Sequence, residues 1–305
     1  MNTLAARAAR SPLLCLGRVS NLPTVWSNVL AGTLLAGGDP SQPGQAGRTA
    51  LVVLAVSAFY EAGMYLNDAF DRVVDARDRP GRPIPSGRIA ASAVFAIGFA
   101  LLALGVLLLA ALGVAAAATG LALAATIVAY DLWHKGNPFS PLVMGACRAQ
   151  VYLLAAVAAA GVDGLVAPPV LLGAAALLAH VVGLTYAAKQ ESLDRVGRLW
   201  PLAVLAAPPV LALAWRLAAA PAGGPPLACA FGLGLLAAAD VAAVRLLVRR
   251  AAPGDVPRAV ARLIAASALV DTLWMATAGA DARFVAAGAL AWLATRALQR
   301  VVPGT

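Results

Sequence analysis

Leu51-Val52-Val53-Leu54-Ala55-Val56-Ser57-Ala58-Phe59-Tyr60-Glu61-Ala62-Gly63-Met64-Tyr65-Leu66-Asn67-Asp68-Ala69-Phe70-Asp71-Arg72-Val73-Val74-Asp75 runs from an apolar stretch straight into a carboxylate cluster. The apolar part, taken from residue 48 to 69, has the length of about 20 residues that a membrane-crossing helix needs. The polar part puts three carboxylates and a carboxamide at its end, and Asp78 follows closely, in a chain with only 14 acidic residues. If the run is helical, offsets of three, four, seven and eight put Asn67, Asp68, Asp71 and Asp75 on one face. Like charges so spaced repel unless a cation sits among them. Oxygen-only ligands suit Mg²⁺, which is usually completed by water and a substrate phosphate.

The rest of the chain has the composition of a membrane protein. Of 305 residues, 61% are hydrophobic and 12% charged, and the mean hydropathy is +0.82, which excludes an ordinary soluble surface. Apolar stretches fall near 21–37, 48–69, 89–111, 114–131, 140–161, 165–187, 199–219, 225–248, 258–278 and 282–301, the last two parted only by Gly279-Ala280-Asp281. The expectation is an all-α, polytopic transmembrane helical bundle, one domain over 1–305, with Ala- and Gly-rich segments allowing close helix packing. The net charge of +9 reflects topology rather than nucleic acid. With the N-terminus inside, only Arg48, Arg216 and Arg283 lie outside and Arg148 falls within a span, while every other Lys and Arg is inside. The Asp-rich segment then lies on the cytoplasmic side of a multi-pass protein of the inner or plasma membrane. Cys15, Cys147 and Cys229 have no paired spacing. Arg7 and Arg10 precede too short an apolar stretch for a cleaved signal.

Two more polar segments share that side: Tyr130-Asp131-Leu132-Trp133-His134-Lys135-Gly136-Asn137-Pro138, and Tyr186 to Arg195, which contains Lys189, Gln190, Glu191 and Asp194. Carboxylates to hold a metal, beside Arg and Lys to hold phosphate oxygens, make a suitable diphosphate site. An apolar cavity below it would suit an isoprenoid tail.

Asn67-Asp68-x-x-Asp71-x-x-x-Asp75, followed by Arg82-Pro83-Ile84-Pro85-Ser86-Gly87, resembles the first Asp-rich motif of the UbiA-type membrane prenyltransferases and its follow-on element. Asn21-Leu22-Pro23-Thr24-Val25-Trp26 is similar to the family's first-span entry. Within the family, the first branch to consider is the divergent UbiA-like one found beside Ebo-type gene clusters. The resemblance implies helices around a central cavity, usually nine spans, one fewer than the hydropathy yields. It implies transfer of a prenyl group from a polyprenyl diphosphate to a small, often aromatic, acceptor with Mg²⁺ assisting departure of diphosphate. It also implies Asp68, Asp71 and Asp75 as catalytic metal ligands, Asn67 on the metal shell or diphosphate, and Arg82 as a phosphate contact.

The second family motif is incomplete here. Aligning Tyr186-Ala187 puts Gln190 at its first Asp and Asp194, a catalytic metal ligand by the resemblance, at its second. Glu191 can join the metal only through a local shift, since one residue turns a helix face by about 100°. His134 stands where the family usually has Lys, with Lys135 next. With Lys189 and Gln190, these are the expected diphosphate contacts, and Arg148 could reach a diphosphate from below. Each site has a plainer reading: carboxylates paired with Arg72, Arg77 and Arg79, Asp194 and Glu191 paired with nearby cations, and His134 and Lys135 anchoring a helix end. Glu61, seven before Asp68, could line the cavity or orient the acceptor, or be a buried structural partner, and His180, Asp240 and Asp271 are expected to be structural. Gln190 and His134 leave open a catalytically reduced UbiA-like protein that binds or moves a lipid or prenylated small molecule.

Overall fold

A computed structural model describes residues 11–189, 200–219 and 226–302. Among these the chain is helical. A short α1 (Pro12–Gly17) leads into α2 (Leu22–Leu35), α3 (Pro43–Phe70) and a one-to-two-turn α4 (Arg72–Asp78). Then come α5 (Ala91–Ala110), α6 (Val114–Trp133), α7 (Ser140–Ala160) and α8 (Pro168–Lys189). The rest of the bundle is α9 (Ala207–Ala219), α10 (Pro226–Arg249), α11 (Asp255–Thr277) and α12 (Ala282–Leu298).

Each of the ten apolar stretches coincides with one of these helices, and eight are helical over a length that can cross a membrane, α9 only together with the tight helical turns that lead into it, Pro201–Ala219 in all. The two that fall short are α2, of 14 residues, and α12, of 17. At 1.5 Å per residue they reach only about 21 and 25 Å, against a hydrocarbon core of about 30 Å. The final pair is separate: Gly279 takes a left-handed φ of 79°, and the Asp281 side chain caps α12 by accepting from the Arg283 N–H at 2.9 Å.

Apolar side chains cover the outside as well as the core. Val114 is 87% exposed, Leu107 68% and Leu121 57%, as expected where the surrounding medium is lipid. α11 lies at the centre, with 83% of its apolar window buried, whereas only 17% of the α10 window is. It packs against α2, α8, α10 and α12. Close contact between α2 and α7 depends on Gly32, where an added Cβ would meet the Tyr152 carbonyl oxygen at 2.8 Å and the Ala155 Cβ at 2.9 Å. That contact sets the register of α2 on α7, and through it the neighbours of Arg148 one turn away.

Candidate active site

The carboxylates gather at the end of the bundle where α3 stops. α3 supplies Asn67 and Asp68, Asp71 ends the helix, and α4 follows at once, its Asp75 N–H reaching the Asp71 carbonyl at 2.9 Å. Asp68, Asp71 and Asp75 are 6%, 6% and 4% exposed, far less than a solvated helix end would be. They divide into two groups. Arg82 Nη1 bridges Asp68 Oδ1 at 3.0 Å and Asp75 Oδ2 at 2.8 Å. Asp71 turns to the loop after α6, taking Lys135 Nζ at 2.9 Å and His134 Nε2 at 3.3 Å. Burial raises the Asp71 carboxyl, but the bonds from His134 and Lys135 outweigh it and leave it below the usual carboxylate value. Arg72 and Arg77 do not supply the pairing ions: Arg72 Nη1 donates to the Ala69 carbonyl and Arg77 pairs with Asp78.

Arg82 reaches back because its own segment is a knot of turns. Its N–H bonds the Arg79 carbonyl, the Ser86 N–H bonds the Arg82 carbonyl and the Arg88 N–H bonds the Pro83 carbonyl, each at 3.0 Å. Pro83 and Pro85 restrict φ, and Gly87, at φ 74°, supplies the left-handed residue that closes the turn. Arg18 comes from the opposite side. Its Nη2 meets Asp68 Oδ1 at 3.2 Å from a backbone at φ 44°, a conformation that costs a side-chain-bearing residue about 1–2 kcal/mol.

Asp131 completes the cluster. Its Oδ1 accepts from Asn67 Nδ2 at 3.2 Å, and its buried Oδ2 has no partner among the described residues. An orphaned buried carboxylate oxygen is a hard ligand of the kind Mg²⁺ takes, but among the described residues no three His, Cys, Asp or Glu side chains are gathered closely enough to hold a metal ion. Below this rim lies a cavity of about 490 Å³ bounded by Val25, Phe59, Leu123, Ile127, Val151 and Val260, with Arg18, Arg82, Tyr130, Asp131 and Arg148 at its polar surfaces. A second opening of about 380 Å³, bounded by Cys15, Asp68, Gly81 and Pro83, adjoins it at Arg18, Arg79 and Arg82.

The UbiA prenyltransferase family profile matches residues 25–263. The chain belongs to that family. Two solved structures share the fold. A UbiA homologue from Aeropyrum pernix K1 superposes with a TM-score of 0.65 at 22% identity, over 81% of this chain and 94% of that one. A structure described as digeranylgeranylglyceryl phosphate synthase in membranes gives 0.62 at 19% identity, over 88% and 98%. Among sequences, digeranylgeranylglyceryl phosphate synthase of Methanosarcina mazei is 36% identical over 112 residues, 36% of this chain and 38% of that protein. The enzyme of the same name from Methanoregula boonei is 48% identical over 50 residues, 16% of this chain and 17% of its own length. These matches thus span well under half of either relative.

On this UbiA-family fold, Asn67, Asp68, Asp71, Asp75, Arg82, His134 and Lys135 come together at one rim. Lys189 reaches the same end, its Nζ donating to the Asn137 carbonyl at 3.0 Å. Arg148 sits deeper, within the cavity. Gln190, Glu191 and Asp194 lie outside the described residues. Glu61 is not a cavity-lining residue; its neighbour Tyr60, with Gly63 and Met64, takes that face. Sequence reasoning also passed over Arg18 and Asp131. Asp131 had a local signal, since it stands among the polar residues that close α6, whereas Arg18 is 50 residues from Asp68 and nothing local announces the contact.

Proposed function

We propose that this protein is an integral membrane prenyltransferase that moves a prenyl group from a polyprenyl diphosphate to a small acceptor. One observation carries the reading: buried carboxylates and cations form the rim of an apolar cavity of about 490 Å³. The diphosphate belongs at the rim, where Arg18, Arg82, His134 and Lys135 can exchange carboxylate oxygens for phosphate oxygens. The prenyl chain belongs in the cavity, whose Val, Leu, Ile and Phe walls keep water from an allylic cation. Asp68, Asp71 and Asp75, with Asn67 and Asp131 beside them, would hold Mg²⁺, and Asp194 and Glu191 would contribute from the second motif. When bound, Mg²⁺ neutralises charge on the departing diphosphate. The carbon–oxygen bond breaks with its electron pair leaving on diphosphate, and a new bond forms from the acceptor as the acceptor loses its proton.

An aromatic ring is the acceptor class that the family resemblance suggests. The matched relatives are named as synthases of a glyceryl phosphate bearing two geranylgeranyl groups, which makes a glyceryl phosphate hydroxyl the other class to assay. Basic-residue asymmetry supports a cytoplasmic rim and N-terminus.

A second reading, a UbiA-like protein that binds or moves a lipid without turnover, is favoured by Gln190 and by Arg82 lying between Asp68 and Asp75, where it already supplies a cation. Purified protein in lipid nanodiscs, given labelled geranylgeranyl or longer polyprenyl diphosphates with both acceptor classes, separates the two. Transfer that requires Mg²⁺ and is lost in Asp71→Ala is the expected result. No transfer and no release of diphosphate with any donor would rule out the transferase.

A further inference from the structure

Arg148 projects from α7 into the cavity, and its direct partners are neutral. Nη1 donates to Asn28 Oδ1 at 2.7 Å and Nη2 to Thr24 Oγ1 at 3.2 Å. The guanidinium lies over the Tyr60 ring, 5.5 Å from its centroid. Among the described residues Arg148 makes no ion pair, whereas Arg18, Arg82 and Lys135 each meet an aspartate.

One bond beyond Asn28 is Asp271 on α11, fully buried at 0% exposure. Its carboxylate accepts from Ser27 Oγ at 2.5 Å, from Tyr152 OH at 2.6 Å and from Asn28 Nδ2 at 2.8 and 3.0 Å. Among the described residues no rim residue hydrogen-bonds to it. An ionised carboxylate can only accept, so it takes the donor end of the Asn28 amide and leaves the acceptor end facing Arg148. An amide turned the other way would point N–H at N–H. Asn28 and Arg148 are opposite each other because Gly32 and Tyr152, one turn further along α2 and α7, are in near backbone contact.

We propose that Asp271 is a positioning residue. By fixing the polarity of Asn28 it directs Arg148, so that a guanidinium with no ion pair of its own faces an anionic oxygen of a substrate inside the cavity. The identity of that substrate rests on the proposed transferase reading; the anion subsite itself does not. The oxygen belongs to the diphosphate of the donor or to an anionic group on the acceptor.

Direct binding to nanodisc-embedded protein distinguishes the two sources, with two probes: geranylgeranyl thiolodiphosphate, an unreactive donor, and geranylgeranylglyceryl phosphate, an anionic acceptor. Losing a charged hydrogen bond inside a cavity should weaken binding roughly ten- to a hundredfold. Arg148→Met, Asp271→Asn and Asn28→Leu should all weaken the same one of the two probes to about this extent and leave the other within about threefold, since only one anion meets the guanidinium. The affected probe names the source. Where Asp271→Asn yields no folded protein, Asn28→Leu decides. Equal weakening of both probes, as a merely structural role predicts, overturns the proposal. So does wild-type affinity in Asp271→Asn or in Arg148→Met, and so does a wild-type protein that binds neither probe. Selective binding loss in a protein with no transfer would overturn the transferase reading and leave this one standing.

Discussion

Arg82→Met tests the rim most directly. Asp75 is 4% exposed, and Arg82 is its one side-chain partner among the described residues, at 2.8 Å. Asp68 keeps Arg18 at 3.2 Å when Arg82 is removed. Stranding a buried carboxylate costs about 3–5 kcal/mol, and a hydrogen bond to a charged group is worth about 1.5–3. The Arg82 side chain is itself 20% exposed, so water can reach part of the vacated space. A loss of about 2–4 kcal/mol in metal-free buffer is the expectation. Methionine keeps most of the unbranched stem and removes the guanidinium, which exposes two carboxylate oxygens to a cation. Mg²⁺ should therefore stabilise the variant more than the wild type, the variant's own gain being about 2.7 kcal/mol at a hundred times its dissociation constant. Chemical unfolding of purified protein, titrated with and without Mg²⁺, measures both quantities. A variant as stable as wild type without metal, or an equal Mg²⁺ response in both proteins, would refute the account of Arg82 as an internal cation.

Gly32→Leu should overpack the α2–α7 contact and cost about 1–3 kcal/mol, read as a lower melting temperature. Asp131→Asn should weaken Mg²⁺ binding with little loss of stability, because the unpartnered Oδ2 is the oxygen it replaces; isothermal titration would show an unchanged affinity if that oxygen is not a ligand. Asp71 has a depressed folded-state pKa, so its contribution to stability is present above the ordinary value of 3.8 and is lost as pH falls through the folded value. Asp71→Asn should flatten that acid limb, and an unchanged acid limb would contradict the pairing with His134 and Lys135. Gln190→Asp should keep or raise transfer, measured as turnover at limiting Mg²⁺, since it restores a charge to the second motif.

Much of the rim was legible because its residues are neighbours in the chain. Asn67, Asp68, Asp71 and Asp75 lie within nine positions, and helical spacing alone predicts a shared face. That prediction needed refinement: all four reach the rim, but Asp71 pairs with the loop after α6 while Asp68 and Asp75 share Arg82. Asp271 read as a lone structural acid because its partners, Ser27, Asn28 and Tyr152, are more than a hundred positions away. A spacing of seven from Asp68 left Glu61 open between cavity lining and a structural role, and the face that lines the cavity carries Tyr60, Gly63 and Met64 instead.

Hydropathy by itself determined that this chain forms membrane-length helices, because burying apolar surface and satisfying backbone hydrogen bonds in lipid leave few alternatives. Spacing within single helices likewise determined that carboxylates collect at the end of α3. Tertiary structure alone decided which cation answers which carboxylate, and that the central helix is α11. It also decided that Asp271 reaches Arg148 through one amide. These depend on how closely helices approach, at contacts such as Gly32 on Tyr152, and local sequence does not encode that distance.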